Sequence, residues 1–337
     1  AYRDIRVKEI FGRWISSDAL ALTTASRTRN QYRNVPTFVS FTVDAKDSAN
    51  VTGDHIYLNT RQLQDADGSA GTTLVQLLKV EEVTSKAPGT HYKMRARVSS
   101  IPEGVHPVIY ALFDERGGLD RAAMKRQIEV CIDQGAVGIV ALGLATEVRF
   151  LNKEMQLQII EWCAADLAGR VPFGVTVFAE TAEGLRSKTI AASAAGAEWV
   201  MMQPPADAKD EAHLQRSFEL ALADLTEPVA LQNMPQFIGV GLSVGMITEL
   251  AARHENLIAI KQEVSAVETA DLVQRLEGRA QVLSGRGGIE LVDCMAGGVS
   301  GHIPAPEYAD FLVTLWKQKQ AGHDREAMEI YSRYLPL

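Results

Sequence analysis

One lysine stands where an amine could do covalent chemistry. Lys261 closes the apolar run of residues 257–260, and a run this hydrophobic is typical of a strand buried on both faces. A lysine held at the end of such a strand loses hydration, which favours its neutral amine. A neutral amine can attack a carbonyl carbon to form an imine, an electron sink for making or breaking carbon–carbon bonds. The competing interpretation is a lysine that simply reaches solvent.

Other polar residues also follow apolar runs directly: Glu147, Gln203, Asn233, Arg286 and His302. The guanidinium of Arg286 could hold a carboxylate through paired hydrogen bonds, or it could cover the rim of the fold. A lone histidine such as His302 is more often a satisfied structural group than a base. These side chains would form one site with Lys261 only if the strand ends converge.

The region from residue 107 onward has the pattern that brings strand ends together. Short apolar runs alternate with longer amphipathic stretches, and the runs span residues 108–113, 138–142, 173–178, 199–203, 229–233, 257–261, 280–284 and 299–303. Eight strand-then-helix units predict an α/β fold, a parallel (β/α)8 TIM barrel, whose chemistry gathers at the carboxyl ends of the strands. A doubly wound open sheet is disfavoured, because no glycine fingerprint follows the first run.

The amphipathic stretches also carry helix-end signals. Gly135, Gly169 and Gly196 stand after the helical patterns of residues 120–134, 152–167 and 182–195, where helix ends need a positive φ. Met201 and Met202 are interpreted as core filling.

Residues 1–104 read differently from the barrel region at 105–337. Alternating patterns at residues 37–43, 55–58 and 92–98, separated by polar and glycine-containing breaks, predict a small antiparallel β-rich module after an irregular or helical start near residues 7–14. Residues 65–68 are interpreted as a surface turn rather than a calcium loop, because a later acidic ligand is absent. The segment 99–104 predicts the domain boundary.

Composition narrows the classes of partner. The formal net charge is −8, and the acidic excess lies in residues 105–337, which argues against nucleic acid or an anionic membrane as a partner. Cys131, Cys163 and Cys294 have neither metal-ligand spacing nor an even count, so they predict reduced thiols in a cytoplasmic protein without a metal site. The sequence has no run of about eighteen or more apolar residues, and its start lacks the apolar segment of a signal peptide. It also begins without methionine. A fragment or a processed form is therefore expected.

Six segments together resemble a known family: residues 108–120, 135–147, 196–204, 228–239, 258–263 and 283–303. They are similar, in order, to the dihydrodipicolinate synthase / N-acetylneuraminate lyase family of class I aldolase-type barrels. The resemblance implies that Lys261 forms an imine with pyruvate or another 2-oxo acid, that no cofactor is needed, and that the complete protein is a homo-oligomer. It also implies further helices after the eighth unit, so the chain, which ends at residue 337, is expected to be truncated at its C-terminus.

The resemblance assigns further roles residue by residue. Gly143, Thr146 and Glu147 match the loop that holds the substrate carboxylate, with backbone donors near Ala145 and Thr146. Asn233 matches the segment after the fifth strand. Gly285 and Ile303 match positions that line the pocket, to which Gln203 and Arg286 are added as substrate-binding candidates.

Two departures from the family pattern affect the chemistry. The family loop Gly-Thr-Thr-Gly-Glu reads Gly-Leu-Ala-Thr-Glu at residues 143–147, and the family's Pro-Tyr-Tyr after the fourth strand is replaced in Gln-Pro-Pro-Ala at residues 203–206. The second tyrosine of the family relays protons, and such help is typically worth about 10²–10⁴ in rate. Tyr110, Glu147 and Glu263 are the candidate replacements.

The sequence therefore supports a lyase or aldolase-like enzyme that acts on a small 2-oxo acid through Lys261, with Glu147 and Tyr110 as further catalytic candidates. The alternative is a degenerate barrel that binds a small carboxylate without catalysis. A third possibility is that residues 1–104 form a structural or attachment module that carries the barrel.

Overall fold

The computed structural model describes residues 38–44, 55–64, 70–84, 90–98, 101–254 and 256–335. The chain divides into two compact units, Ala1–Ser100 and Ile101–Leu337, and each has its own sheet. The start near residues 7–14 and the turn at residues 65–68, both predicted from the sequence, lie outside the described residues.

The first unit contains an antiparallel sheet of four strands. The strands are β1 (Phe38–Asp44), β2 (His55–Gln64), β3 (Ala70–Thr84) and β4 (Thr90–Val98), in the spatial order β1-β4-β3-β2. Three of them begin where the sequence predicted alternating patterns, within about two residues. The longest, β3, was not predicted, because its first residues fall in the polar stretch that was interpreted as a break.

The second unit is the predicted TIM barrel. Its strands are β5 (Gly104–Val105), β6 (Ile139–Ala141), β7 (Phe173–Val177), β8 (Trp199–Met202), β9 (Val229–Asn233), β10 (Leu257–Gln262), β11 (Gln281–Ser284) and β12 (Gly301–His302). All are parallel, and β5 pairs with β12. On its other side the first strand segment reaches β6, because Ile109 N–H donates to Val140 O at 2.9 Å and Val140 N–H donates to Pro107 O at 2.9 Å. The ring of strands is thereby closed.

Helices follow the strands around the barrel. They are α1 (Arg121–Asp133), α2 (Lys153–Leu167), α3 (Ala182–Ala194), α4 (Glu211–Leu222), α5 (Pro235–Ile238), α6 (Val244–Arg253), α7 (Ala266–Leu276), α8 (Leu291–Ala296), α9 (Ala309–Gln320) and α10 (Asp324–Tyr334). Six of them begin at a side chain that accepts a hydrogen bond from the first turn: Asp120, Asn152, Thr181, Asp210, Ser243 and Ser265. Within the described residues, no helix is long and apolar enough to cross a membrane.

The first strand differs in position from the one predicted. The first strand was expected at residues 108–113, but regular pairing occurs at Gly104–Val105, and Val108 contributes only a single bridge to Val140. Strand position there is set by the register of β12, which the apolar pattern does not encode. The division between Ser100 and Ile101 lies within the predicted boundary segment of residues 99–104, and buried Ile101 exchanges backbone hydrogen bonds with the side chain of Gln281.

Alternate strand residues divide the core into two layers. Val175, Val200, Leu231 and Ile260 belong to the large apolar cluster that includes residues of the surrounding helices. Residues on the other face of each strand fill the barrel, as where a Cβ on Gly174 would meet the ring of Trp199. The three cysteines are buried and unbonded, and burial raises the pKa of each thiol.

Candidate active site

Lys261 and Glu263 stand on the same face of β10 and its extension, because strand residues two apart point the same way. Both are buried, and Nζ of Lys261 lies 2.8 Å from Oε1 of Glu263. A lysine inside the barrel at a strand's carboxyl end is the position that the sequence analysis favoured over a solvent-exposed one. From the sequence, Glu263 was considered only as a replacement for the proton-relaying tyrosine of the resembled family.

A chain of buried amides leads to the same carboxylate. Gln203 donates from Nε2 to Oε1 of Gln232 at 3.1 Å, and Gln232 donates from Nε2 to Oε1 of Glu263 at 3.1 Å. Gln232 is also the residue of β9 that pairs in register with Lys261. Both amides are thus oriented to support a negative charge on Glu263, and Oε1 of Gln203 is a buried acceptor that no donor among the described residues reaches.

The loop after β11 encloses the other carboxylate oxygen. The backbone N–H of Arg286 donates to Oε2 of Glu263, and Arg286 holds a positive φ of 56°. Its guanidinium pairs instead with Glu290 and with the carbonyl oxygen of Val264. Arg286 therefore contributes its backbone amide to the site in this structure, and the substrate-binding role considered for its guanidinium stays a prediction.

Burial and the neighbouring charges set the ionisation of Glu263 and His302. Burial alone would raise the pKa of the Glu263 carboxyl, but the Lys261 charge and the hydrogen bonds from Lys261, Arg286 and Gln232 outweigh it and hold that pKa below its usual value. The pKa of His302 is lowered to about 4, first by burial and then by the Lys261 charge. His302 is therefore neutral at physiological pH, and its Nδ1 lies 2.9 Å from Oγ of Ser284.

The loop of residues 143–147, which follows β6, is built differently. Thr146 is buried, its hydroxyl donates to Ile109 O at 2.7 Å, and its amide donates to Gly143 O at 3.1 Å. Both of its donors are thus engaged within the scaffold, whereas the sequence analysis expected them to face a carboxylate. Glu147 is exposed with a left-handed φ of 54°. Of the two glutamates considered as proton carriers, Glu263 is the buried one.

Tyr110 donates its hydroxyl hydrogen bond to Glu307, in the short helical turn before α9. Burial and the Glu307 carboxylate raise the pKa of the Tyr110 phenol. The Tyr110 phenol therefore keeps its proton and donates it in a hydrogen bond to Glu307 in this structure. The catalytic role predicted for Tyr110 stays a prediction.

Asn233 and Ile303 support the strand ends. Asn233 donates to Gln262 Oε1 at 2.9 Å, and it exchanges hydrogen bonds with the backbone of Leu242, which fixes the loop before α6. Ile303 is buried, and its N–H donates to Ser284 O at 3.0 Å. Both residues hold neighbouring backbone in place around the site.

Sequence reasoning missed Gln232. It stands inside the apolar run of residues 229–233, and a polar side chain within such a run was the available signal. Its importance comes from its register beside Lys261, which becomes visible only when β9 and β10 are paired.

The comparisons with known proteins agree with this architecture. The profile of the Dihydrodipicolinate synthetase family matches residues 102–337. A 4-hydroxy-tetrahydrodipicolinate synthase of Methanospirillum hungatei is 29% identical over 242 residues, which cover 70% of this chain and 82% of that protein. An L-2-keto-3-deoxyarabonate dehydratase of Azospirillum brasilense is 25% identical over 249 residues, covering 71% and 80% respectively.

Solved structures share the fold. The prophage protein YagE of Escherichia coli K12, described as a member of the dihydrodipicolinic acid synthase family and solved in complex with pyruvate, superposes with a TM-score of 0.64. It is 25% identical, and the match covers 68% of this chain and 79% of that one.

Proposed function

We propose a function for this chain from the premise that it belongs to the dihydrodipicolinate synthetase family. The chain acts as a lyase or aldolase that joins the amine of Lys261 to the 2-oxo carbon of a small acid such as pyruvate. The observation that supports this most is the buried Lys261 at the carboxyl end of β10, 2.8 Å from a carboxylate that can take its proton. That proton must leave before the amine can attack.

The substrate carboxylate is assigned to the backbone at Gly143 and Ala145. This loop follows β6 at the catalytic face, where backbone amides can receive an anion without a cationic side chain. Gly143 also holds this loop close to the first strand segment, because a Cβ there would lie 2.7 Å from Cγ1 of Val108. A 2-oxo acid with its carboxylate here would present its carbonyl carbon to the amine across the barrel mouth.

Borohydride trapping tests the proposal. The protein is incubated with pyruvate and with longer 2-oxo acids, reduced, digested and mapped by mass spectrometry, with acetone as a carbonyl compound that lacks the carboxylate. We expect a reduced adduct on Lys261 with at least one 2-oxo acid and little with acetone. No adduct on Lys261 with any 2-oxo acid contradicts the proposal.

Lys188 supplies a matched control. It is half-buried on α3, donates from Nζ to Phe178 O at 2.7 Å, and its pKa is lowered by burial and by the charge of Lys153. If desolvation alone made a lysine reactive, a reduced adduct would therefore form on Lys188 as well. We expect Lys188→Ala to retain the adduct and Lys261→Ala to lose it.

A binding barrel without turnover is the second candidate function. Residues 203–206, which replace the Pro-Tyr-Tyr segment of the resembled family, contain no tyrosine. Under this candidate the Lys261 and Glu263 charges would be a structural ion pair beneath a carboxylate site. Aldol cleavage or dehydration of any 2-oxo acid, abolished by Lys261→Ala, would exclude it.

We also propose a cytoplasmic homo-oligomer that assembles through the sides of the barrel. Ile190 on α3 and Leu220 on α4 are exposed apolar side chains on this surface, and such surface favours association. Sedimentation of the full chain and of residues 101–337 tests the assignment. An oligomer that disappears when residues 1–100 are removed would place assembly in the first unit instead.

A further inference from the structure

The carboxylate beside Lys261 is held at both oxygens. Oε1 of Glu263 accepts from Lys261 and from Gln232, and Oε2 accepts from the Arg286 amide. The side chains of Lys261 and Glu263 are only 9% and 5% exposed, so bulk water competes weakly for either group. A proton can therefore pass between these two side chains directly.

The backbone leaves a space that this carboxylate fills. A Cβ built on Gly285 would lie 2.3–2.5 Å from the three carboxyl atoms of Glu263, which is far inside van der Waals contact. The Gly285 amide is fixed by a hydrogen bond to Gln262 O at 3.0 Å. Any larger residue at position 285 would displace the carboxylate, so the position of Glu263 requires glycine there.

We propose that Glu263 is the catalytic acid and base of the Lys261 site, in the role left open by the absence of a tyrosine after β8. The proposal rests on the proposed function, because it requires a carbonyl substrate at Lys261. It rests on geometry that this chain provides: one carboxylate in contact with the reacting nitrogen and oriented by Gln232, Gly285 and Arg286.

The proton can be followed through imine formation. The Lys261 ammonium gives a proton to the Glu263 carboxylate, and the neutral amine adds to the 2-oxo carbon of the acid. After a proton shifts from nitrogen to oxygen, the resulting carbinolamine carries a hydroxyl group. The protonated Glu263 returns its proton to that hydroxyl, water leaves, and a cationic imine forms opposite the restored carboxylate. The same carboxylate can then remove a proton from C3 of the substrate to give the enamine.

The charge on Lys261 controls the basicity of Glu263 during this cycle. The Lys261 charge opposes the effect of burial on the Glu263 pKa, so neutralising the nitrogen raises that pKa and helps the carboxyl to hold the proton. The charges of Lys261 and Glu263 both act on His302 of β12, which burial keeps neutral by lowering its pKa to about 4. Arg286 faces Glu263 with its amide, while its guanidinium pairs with Glu290.

Hydrogen–deuterium exchange at the pyruvate methyl group tests the proposal. The exchange is followed by proton NMR in D₂O, and it requires both the imine and removal of a C3 proton. We expect Glu263→Gln, which keeps the size of the side chain, to lower the exchange rate by about 10²–10⁴-fold and to remove the acid limb of its pH–rate profile. Glu161→Gln makes the same chemical change on the exposed surface of α2 and should exchange at the wild-type rate.

A second variant keeps the test decisive if Glu263→Gln does not fold. Glu263→Asp retains the charge but withdraws the carboxylate by about one methylene, and a misplacement of about 1 Å can cost roughly 10²-fold in rate. We expect slower exchange with borohydride trapping at Lys261 still detectable. Trapping together with wild-type exchange in a folded Glu263 variant would overturn the role of Glu263 alone. If the wild-type protein shows no trapping and no exchange with any 2-oxo acid, both the proposed function and this proposal are overturned.

Discussion

Two sides of the barrel mouth use polar residues in opposite ways. On the side of β9, β10 and β11, Glu263 is buried, and the buried side chains of Lys261 and Gln232 both bond to it. On the side of β6, Thr146 bonds back to the first strand segment and Glu147 points into solvent. The buried side gathers charge at one place, while the β6 side holds the scaffold. Reactive groups are thus expected where polar side chains are buried and bonded to each other.

The largest effect is expected from breaking the buried ion pair. Glu263→Gln leaves the Lys261 ammonium without its counter-charge, and loss of one partner of a buried pair typically costs about 3–5 kcal/mol. The free energy of unfolding at neutral pH, measured by urea denaturation, should fall accordingly. A loss below about 1 kcal/mol would mean that the pair is effectively solvated, as surface pairs are.

The pH dependence of that loss sharpens the same prediction. Because pairing holds the Glu263 pKa below its usual value, its stabilising contribution is fully present above the pKa of an unfolded carboxyl. It is lost as the pH falls through the lower folded value. The difference in stability between wild type and Glu263→Gln should therefore shrink at acid pH.

A smaller loss is expected from filling the space at Gly285. Gly285→Ala forces the Glu263 carboxylate to move, and overpacking of this kind typically costs about 1–3 kcal/mol. Gly245→Ala is the matched control, because Gly245 lies in the first turn of α6 with no atom within 4 Å of the added Cβ. Urea denaturation should find Gly245→Ala neutral or slightly stabilised. Equal behaviour of the two variants would contradict the close fit at Gly285.

On the β6 side, Thr146→Val should affect stability more than chemistry. It removes the hydrogen bond to Ile109 O, which typically contributes about 1 kcal/mol. Melting and trapping experiments on one preparation check this, with a lower Tm and an undiminished adduct on Lys261 expected. Loss of the adduct in folded Thr146→Val would show that the threonine binds the substrate directly.

The smallest effect at neutral pH is expected from His302→Asn, which can keep the contact with Ser284. The pKa of His302 is lowered from 6.5 to about 4, so below pH 6.5 the unfolded chain binds a proton that the folded chain refuses. Stability contributed by the neutral ring is lost as the pH falls from about 6.5 to about 4. The variant should show a shallower decline across this window in urea titrations. If the free energy of unfolding falls with pH as steeply in the variant as in the wild type, protonation of His302 does not cause the decline.

The fold was largely predictable because its signals are local. Strand hydrophobicity, helix caps such as Asp120 and Asn152, and glycines at helix ends repeat along the chain. Gly135, Gly169 and Gly196 all take the positive φ that their positions indicated. Local signals failed where pairing between strands sets the position of an element. The first strand is the example, because its position is set by its pairing with β12.

The site was less predictable because it depends on contacts between strands. Lys261 and Gln203 could be placed at strand ends, but their link through Gln232 and Glu263 requires the register of β9 against β10. The sequence offered the Arg286 guanidinium as a carboxylate clamp or a rim group, whereas it is the backbone N–H of Arg286 that donates to Glu263. No residue pattern predicts that choice.

A crystal structure of the protein with pyruvate, reduced with borohydride, would show whether Lys261 and Glu263 act together on a 2-oxo acid. We expect continuous electron density from Nζ of Lys261 to C2 of the acid, with the Glu263 carboxylate still within hydrogen-bonding distance of that nitrogen. Pyruvate bound elsewhere, with the Lys261 and Glu263 side chains still paired and unmodified, would contradict that expectation.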